Sequence, residues 1–288
     1  MANKKEFKIG VIGAGAWGTA LANILSQKQH VKLWAKEKSV CENIGKHREN
    51  KRFLPKIKLN KQINCTTEIN NVSECKILFL VIPVQYLSGV LTKLKNSLDE
   101  KTIFVCCSKG LEMNSLRLPS QIVSSIFPKN KIAIISGPNF AAEIAKGLPA
   151  ATTVASKSED VSKKIATLIK SPTLRPYLSN DIIGSQIAGA LKNIYAIASG
   201  IVVGKKYGEN AVASIISRSF AEITTVAKSM NAKKSTLAGL SGMGDLFLTC
   251  SSKESRNFSL GIDLAKGKTL NEIIQKKFSI AEGVFTVR

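Results

Sequence analysis

KIGVIGAGAWG, residues 8–18, decides how the rest of the chain reads. Its first half is short, apolar and β-branched, as a buried strand is. Glycines then fall at 13, 15 and 18, the G-x-G-x-x-G spacing, and the helix-like stretch TALANILSQK follows directly. Strand, glycine turn and helix in that order form a loop whose backbone can approach a diphosphate. Gly13 makes the tight turn, Gly15 admits the diphosphate, and Gly18 lets helix and strand pack. The free N–H groups of the helix start then face the phosphates. This context points to a bound dinucleotide. The next strand-like run, VKLW (31–34), is followed by Ala35, Lys36, Glu37 and Lys38. An acid after the second strand holds a ribose hydroxyl, and a cation there meets a 2′-phosphate. Lys36 suits NADPH and Glu37 suits NADH, so both cofactors stay open.

Outward from this stretch, ILFLVIP (77–83), TIFVCCS (102–108) and IAIISG (132–137) read as further buried strands. The helix-like segments SVCENIGKH, VQYLSGVLTKLKNSL and LPSQIVSSIF lie between the runs. AATTVAS (150–156) and SEDVSKKIATLIK (158–170) add a strand and a helix. This alternation predicts an α/β domain over residues 1–180, a Rossmann-like doubly wound parallel sheet. Past residue 180 the strand-like runs stop. SQIAGALKNIYAIASG, AVASIISRSFAEITTVAKSM and NFSLGIDLAKG predict an all-α C-terminal domain over 181–288.

Composition narrows the function classes. The 288 residues carry a net charge of +22, from 42 basic residues of which only seven are Arg. The lysines are spread along the chain, and the densest segment, 46–61, lacks the aromatic interleaving of a single-strand binder. No specific nucleic-acid partner is expected. The six cysteines (41, 65, 75, 106, 107 and 250) show no CxxC spacing, so reduced thiols are expected, with neither a disulfide framework nor a metal site. The histidines, His30 and His47, fall in no motif, so acid–base chemistry must use another side chain. The amino terminus reads directly into the first strand with no leader character. Residues 182–204 are long enough to span a bilayer, but Gly184, Ser185, Gln186, Gly189, Lys192 and Asn193 interrupt them. A buried helix is the expectation there, with no membrane insertion.

Within 182–204 the lone charge is Lys192. Three other stretches carry residues of similar interest. SKG (108–110) sets Lys109 just past a predicted strand's carboxyl end, where open α/β sheets bind ligands. SGPNFAAE (136–143) follows another strand. GLSGMGDLFLTC (239–250) with SSKESRNF (251–258) puts Asp245 in a glycine-rich turn and Arg256 at a helix start, a good phosphate site.

GAGAWGTALA, SKG, SGPNFAAE, ALKNIYAIASG, GMGDL with TCSS, and SRNFSLG together resemble the NAD(P)-dependent glycerol-3-phosphate dehydrogenase family of bacterial type, in the family's order over nearly the whole chain. The resemblance implies reversible reduction of dihydroxyacetone phosphate to sn-glycerol 3-phosphate, as a supply for phospholipid synthesis in the cytoplasm. It implies Lys192 as general acid/base. It implies a substrate site of Lys109, Lys192, Asp245, Ser255, Arg256 and Asn257, with Arg256 at the phosphate. Cofactor contacts follow at Gly13, Gly15, Ala16, Trp17, Gly18, Lys36, Lys109, Gly137, Ala141, Arg256 and Glu282. A homodimer is a further implication. The family's pattern continues for tens of residues beyond its EGV motif, whereas this chain ends at Arg288, which leaves the helical domain open to being shortened there. Chemistry agrees with the lysine. A free lysine titrates near about 10.4, while general-base work near neutrality wants about 7–8. An apolar helix and a second cation such as Lys109 push downward, and Asp245 pushes back while orienting the amine. Two alternatives stay open: a hydroxy-acid dehydrogenase of the 3-hydroxyisobutyrate or 6-phosphogluconate type, and a dinucleotide sensor without turnover.

Overall fold

The computed structural model describes residues 8–276 and 282–286. The chain divides into two compact units. The first takes Met1–Ser108, Pro119–Ile135 and Asn139–Asn180; the second takes Lys109–Leu118, Ser136–Pro138 and Asp181–Arg288. The helical unit thus draws two short segments, one carrying Lys109 and one carrying Gly137, out of the first half of the sequence.

Eight strands form one sheet: β1 (Ile9–Ile12), β2 (Val31–Trp34), β3 (Ile63–Thr66), β4 (Ile77–Leu80), β5 (Ile103–Cys106), β6 (Ile132–Ser136), β7 (Ala150–Ser156) and β8 (Leu174–Ser179), in the order β3-β2-β1-β4-β5-β6-β7-β8. Helices α1 (Ala16–Leu25), α2 (Lys38–His47), α3 (Leu87–Leu94), α4 (Pro119–Ile126), α5 (Ala141–Ala145) and α6 (Glu159–Ile169) connect them. Six neighbouring pairs are parallel. Ser156, the last residue of β7, donates its hydroxyl to the carbonyl of Ile132, the first residue of β6, at 2.7 Å, so β7 runs back along β6. The central strands β1, β4 and β5 are wholly buried, which is why they read as unbroken apolar runs. Two outer strands, β3 (INCT) and β8 (LRPYLS), are largely exposed or half-buried and carry no such run, and the sequence reading does not contain them. The strand order reverses at β1, which lies between β2 and β4 and parallel to both; at such a switch point the carboxyl ends of the strands open a crevice for ligands.

Charge completes some local structure. Lys28 donates to the carbonyls of Thr167, Leu168 and Lys170, at 2.6, 3.2 and 2.6 Å. A cation from the turn after α1 thereby satisfies the unpaired carbonyl end of α6, while Glu159 and Asp160 sit in that helix's first turn. Cys41 and Cys65 are paired, in contrast to the expectation of reduced thiols throughout. Their separation of 24 positions hides the pairing from spacing rules; packing of α2 beside β3 creates it.

The second unit is helical. Its helices are α7 (Ile182–Gly204), α8 (Glu209–Ser229), α9 (Lys234–Ala238), α10 (Asp245–Ser251), α11 (Arg256–Ala265), α12 (Leu270–Lys276) and α13 (Gly283–Thr286). Among the described residues α7 is the helix long and apolar enough to cross a membrane by length and composition. It is a core helix here, with α8, α10, α11 and α13 packed on it. Asp181 starts it: one carboxylate oxygen accepts from Gly184 N and the other from Lys233 N, each at 2.8 Å. Against α11 the contact is backbone to backbone. A Cβ at Gly200 would lie 2.1 Å from the carbonyl oxygen of Phe258, and one at Gly261 would lie 2.0 Å from that of Ile197. Gly89 in α3, by contrast, has open space around its missing Cβ. Gly261→Ala is therefore expected to lower unfolding free energy by about 1–3 kcal/mol through overpacking, and Gly89→Ala to raise it by up to about 1 kcal/mol through helix propensity, as read by urea unfolding of each variant.

Candidate active site

In the first unit the glycine loop adopts the form its spacing requires. Gly13 has φ +116°, and a Cβ there would lie 2.6 Å from the carbonyl oxygen of Val81. A Cβ on Gly18 would meet the carbonyl oxygen of Gly13 at 1.8 Å, so helix and strand pack as closely as glycine permits. Gly15 is different: nothing lies within 4 Å of the position its Cβ would take. It precedes α1, no side chain caps that helix, and Ala16 and Trp17 open its first turn. Unpaired N–H groups facing open space make a cradle for a diphosphate. The Trp17 side chain, partly buried, packs against the sheet core. A residue outside the motif pins the loop. Buried Asn50 donates to the carbonyl of Ala14 and to Thr19 Oγ1, both at 2.8 Å. Nothing in its sequence context, a basic run, marks it. Lys36 follows β2 and holds its ammonium 6.0 Å from the ring centroid of exposed Tyr86, while neighbouring Glu37 pairs with Arg52 at 3.9 Å. Ala141 begins α5.

The second unit gathers residues far apart in sequence. Lys192, near the middle of α7, donates to Asp245 Oδ1 at 2.5 Å and to Thr249 Oγ1 at 2.9 Å. Lys109 donates to Asp245 Oδ2 at 2.7 Å and to the carbonyl of Gly137 at 2.9 Å. Gly137 reaches that geometry with φ +155°. Two ammonium groups thus share one carboxylate, one on each oxygen. Lys192 is 8% exposed and Asp245 1%. A Cβ on Gly189, one turn before Lys192, would stand 3.4 Å from the Lys109 stem, so the small residue makes room for the second lysine. Burial pulls the Lys192 ammonium down to about 8; Asp245 opposes the shift and Lys109 adds to it. Asp245 begins α10 after a π-helical turn, Leu240–Gly244, in which Gly242 and Gly244 both bond back to the carbonyl of Gly239. Thr249 is a site residue the sequence reading lacks. It lies four residues after Asp245, on the same helix face, and its hydroxyl also donates to the Asp245 carbonyl at 2.6 Å.

A second chain of bonds runs beside the first. Asn257 Nδ2 donates to Asn193 Oδ1, and Gly283 N donates to Asn257 Oδ1, each at 3.0 Å. It ties the turn carrying Glu282 to the residue after Lys192. Burial pushes the Glu282 carboxyl up to about 7, against the pull of Arg256, Lys192 and Lys109. Ser255 caps α11, its Oγ accepting from Phe258 N at 3.3 Å, and Arg256, exposed, is the first residue of that helix. The structure therefore brings Lys109, Gly137, Lys192, Asp245, Ser255, Arg256, Asn257 and Glu282 into one unit, and holds Gly13, Gly15, Ala16, Trp17, Gly18, Lys36 and Ala141 in the other.

Together these features define a class: a two-domain dehydrogenase with a nicotinamide dinucleotide loop and a buried lysine in its helical unit. The chain matches the family models for the NAD-dependent glycerol-3-phosphate dehydrogenase N-terminus over residues 8–162 and C-terminus over residues 181–288. It is 45% identical over 278 residues to the glycerol-3-phosphate dehydrogenase (NAD(P)+) of Parvibaculum lavamentivorans, covering 96% of this chain and 84% of that one. The enzyme of the same name from Caulobacter vibrioides is also 45% identical, with the same coverage. A crystal structure of glycerol-3-phosphate dehydrogenase from Coxiella burnetii superposes with a TM-score of 0.93 at 34% identity, covering 96% of this chain and 86% of that one. The chain belongs to the NAD-dependent glycerol-3-phosphate dehydrogenase family, and is an NAD(P)-dependent oxidoreductase of it.

The Asp245 carboxylate holds the Lys192 ammonium up against burial and Lys109. Asp245→Asn is expected to move the Lys192 titration below about 8, followed through the side-chain nitrogen by heteronuclear NMR.

Proposed function

We propose that the chain reversibly reduces dihydroxyacetone phosphate to sn-glycerol 3-phosphate with NADPH or NADH, with Lys192 as general acid/base, and so supplies glycerol phosphate for phospholipid synthesis. The observation that carries this reading is the buried Lys192, held by Asp245 and Thr249 with Lys109 on the opposite carboxylate oxygen. When bound, the reduced nicotinamide supplies a hydride to the ketone carbon. Charge then builds on the substrate oxygen, and an ammonium beside it both stabilises the alkoxide and hands it a proton. Lys192 has an ammonium titrating near about 8, so it gives up a proton far more readily than an ordinary lysine and takes one back in the reverse direction. Lys109 keeps a second positive charge in the cluster, and Asp245 fixes where both amines point. Arg256 and the first turn of α11 suit the phosphate: a guanidinium forks onto its oxygens, at the positive end of a helix. The hydroxyl of Ser255 accepts the helix cap and keeps its own proton to donate. For the dinucleotide, the backbone of Gly13, Gly15, Ala16, Trp17 and Gly18 forms the diphosphate cradle, supported by the open space at Gly15. Lys36 serves the ribose end; Lys109, Gly137, Ala141, Arg256 and Glu282 complete the contacts on the family pattern. The same resemblance carries a cytoplasmic homodimer, which light scattering on the purified chain tests.

The deciding assay follows nicotinamide absorbance with dihydroxyacetone phosphate and each reduced cofactor. Lys192→Ala is expected to lower kcat about 10²- to 10⁴-fold, and undiminished turnover by that variant would sink the assignment. Arg256→Ala is expected to weaken use of the phosphorylated substrate by roughly 10- to 100-fold in kcat/KM, the loss of charge-assisted hydrogen bonds. The pH profiles of the two directions are expected to mirror each other. Reduction needs the ammonium and falls as pH rises through about 8, while oxidation needs the amine and rises through the same range.

A further inference from the structure

Cys41 lies on α2 and Cys65 on β3, with 5.1 Å between their Cα atoms. Disulfides need about 4.4–6.8 Å. Core packing on both elements holds the two backbones near this separation. Val40 and Ile44, flanking Cys41 on the helix, are buried in the sheet core, and Ile63 is buried two residues before Cys65. Cys65 is held in register opposite Leu33 of β2, also in the core. Both cysteines are only partly buried.

The other four cysteines, Cys75, Cys106, Cys107 and Cys250, are buried. Burial pushes the thiols of Cys75, Cys106 and Cys250 up to about 12, so they form little thiolate. The Cys41–Cys65 pair differs in being only partly buried, and the sequence around Cys41 is basic. Residues 36–61 hold nine Lys or Arg against three Glu. A basic segment draws in anionic reagents.

We propose that Cys41 and Cys65 form a reversible thiol–disulfide site, closed by exchange with an anionic low-molecular-weight disulfide. One protein thiolate attacks the small disulfide, forming a mixed disulfide and releasing one small thiolate. The second cysteine attacks the protein sulfur of that mixed disulfide, closing the Cys41–Cys65 bond and releasing the other small thiolate. Two protein thiols are oxidised, one small disulfide is reduced to two thiols, and the two protons pass to the released thiolates. Closure ties the helix that follows Lys36 and Glu37 to an outer strand of the sheet.

The test uses the full chain, fully reduced, then incubated with glutathione disulfide, quenched in acid, denatured, alkylated and digested for mass spectrometry. The expected result is a peptide pair joined through Cys41 and Cys65, lost on treatment with dithiothreitol, with the other four cysteines alkylated. In Cys41→Ser and in Cys65→Ser the joined pair disappears and the remaining cysteine carries glutathione. Cys41 and Cys65 still fully alkylated, or glutathione found first on one of the buried four, overturns the proposal.

Discussion

The carboxylate of Asp245, shared between two ammonium groups in a buried setting, is the constraint around which the helical unit is arranged. Two lysines cannot stand this close without an anion between them, and an anion cannot be 1% exposed without cations to hold it. The cluster keeps one surplus positive charge. That surplus, together with desolvation, weakens Lys192's hold on its proton. Acidity in this lysine is thus a property of packing: the same residue on an exposed helix would be an ordinary cation.

Much of the surrounding structure serves to bring that cluster together. Gly189 leaves room for the Lys109 stem, and Gly137 accepts the second Lys109 bond from a backbone conformation that side chains resist. Backbone contact of α7 with α11 holds the helix bearing Arg256 and Asn257 against the helix bearing Lys192 and Asn193. The amide relay from Asn193 through Asn257 to Gly283 then fixes the turn that carries Glu282. Each piece is small in energy, of the order of a single hydrogen bond or a close glycine contact. Together they define one arrangement of charges.

The first unit shows the same economy at its dinucleotide loop. Two glycines are required there by the chain's own packing, for a left-handed turn at Gly13 and close backbone contact at Gly18, while Gly15 leaves open space before α1. Asn50 adds a buried amide that holds the Ala14 carbonyl and Thr19 in place, so the loop is rigid before any ligand arrives. Of the cofactor positions suggested by the family pattern, Trp17 also packs its partly buried ring against the sheet core.

The sequence by itself determined the alternating order of the first half, the glycine loop, the helical second half and an isolated lysine in an apolar helix. These features rest on local rules: two-sided burial makes central strands apolar, and only glycine fits certain turns. Tertiary structure alone decided the rest. The outer strands β3 and β8 were illegible because an edge strand needs no apolar run. Thr249 and Asn50 were illegible because a buried hydroxyl or amide takes its meaning from partners far along the chain. The Cys41–Cys65 pair and the Lys28 cap on α6 belong to the same class, contacts between elements that no spacing records. Lys192's shared partner also lies 53 residues away in sequence, and only folding set the two within a hydrogen bond of each other.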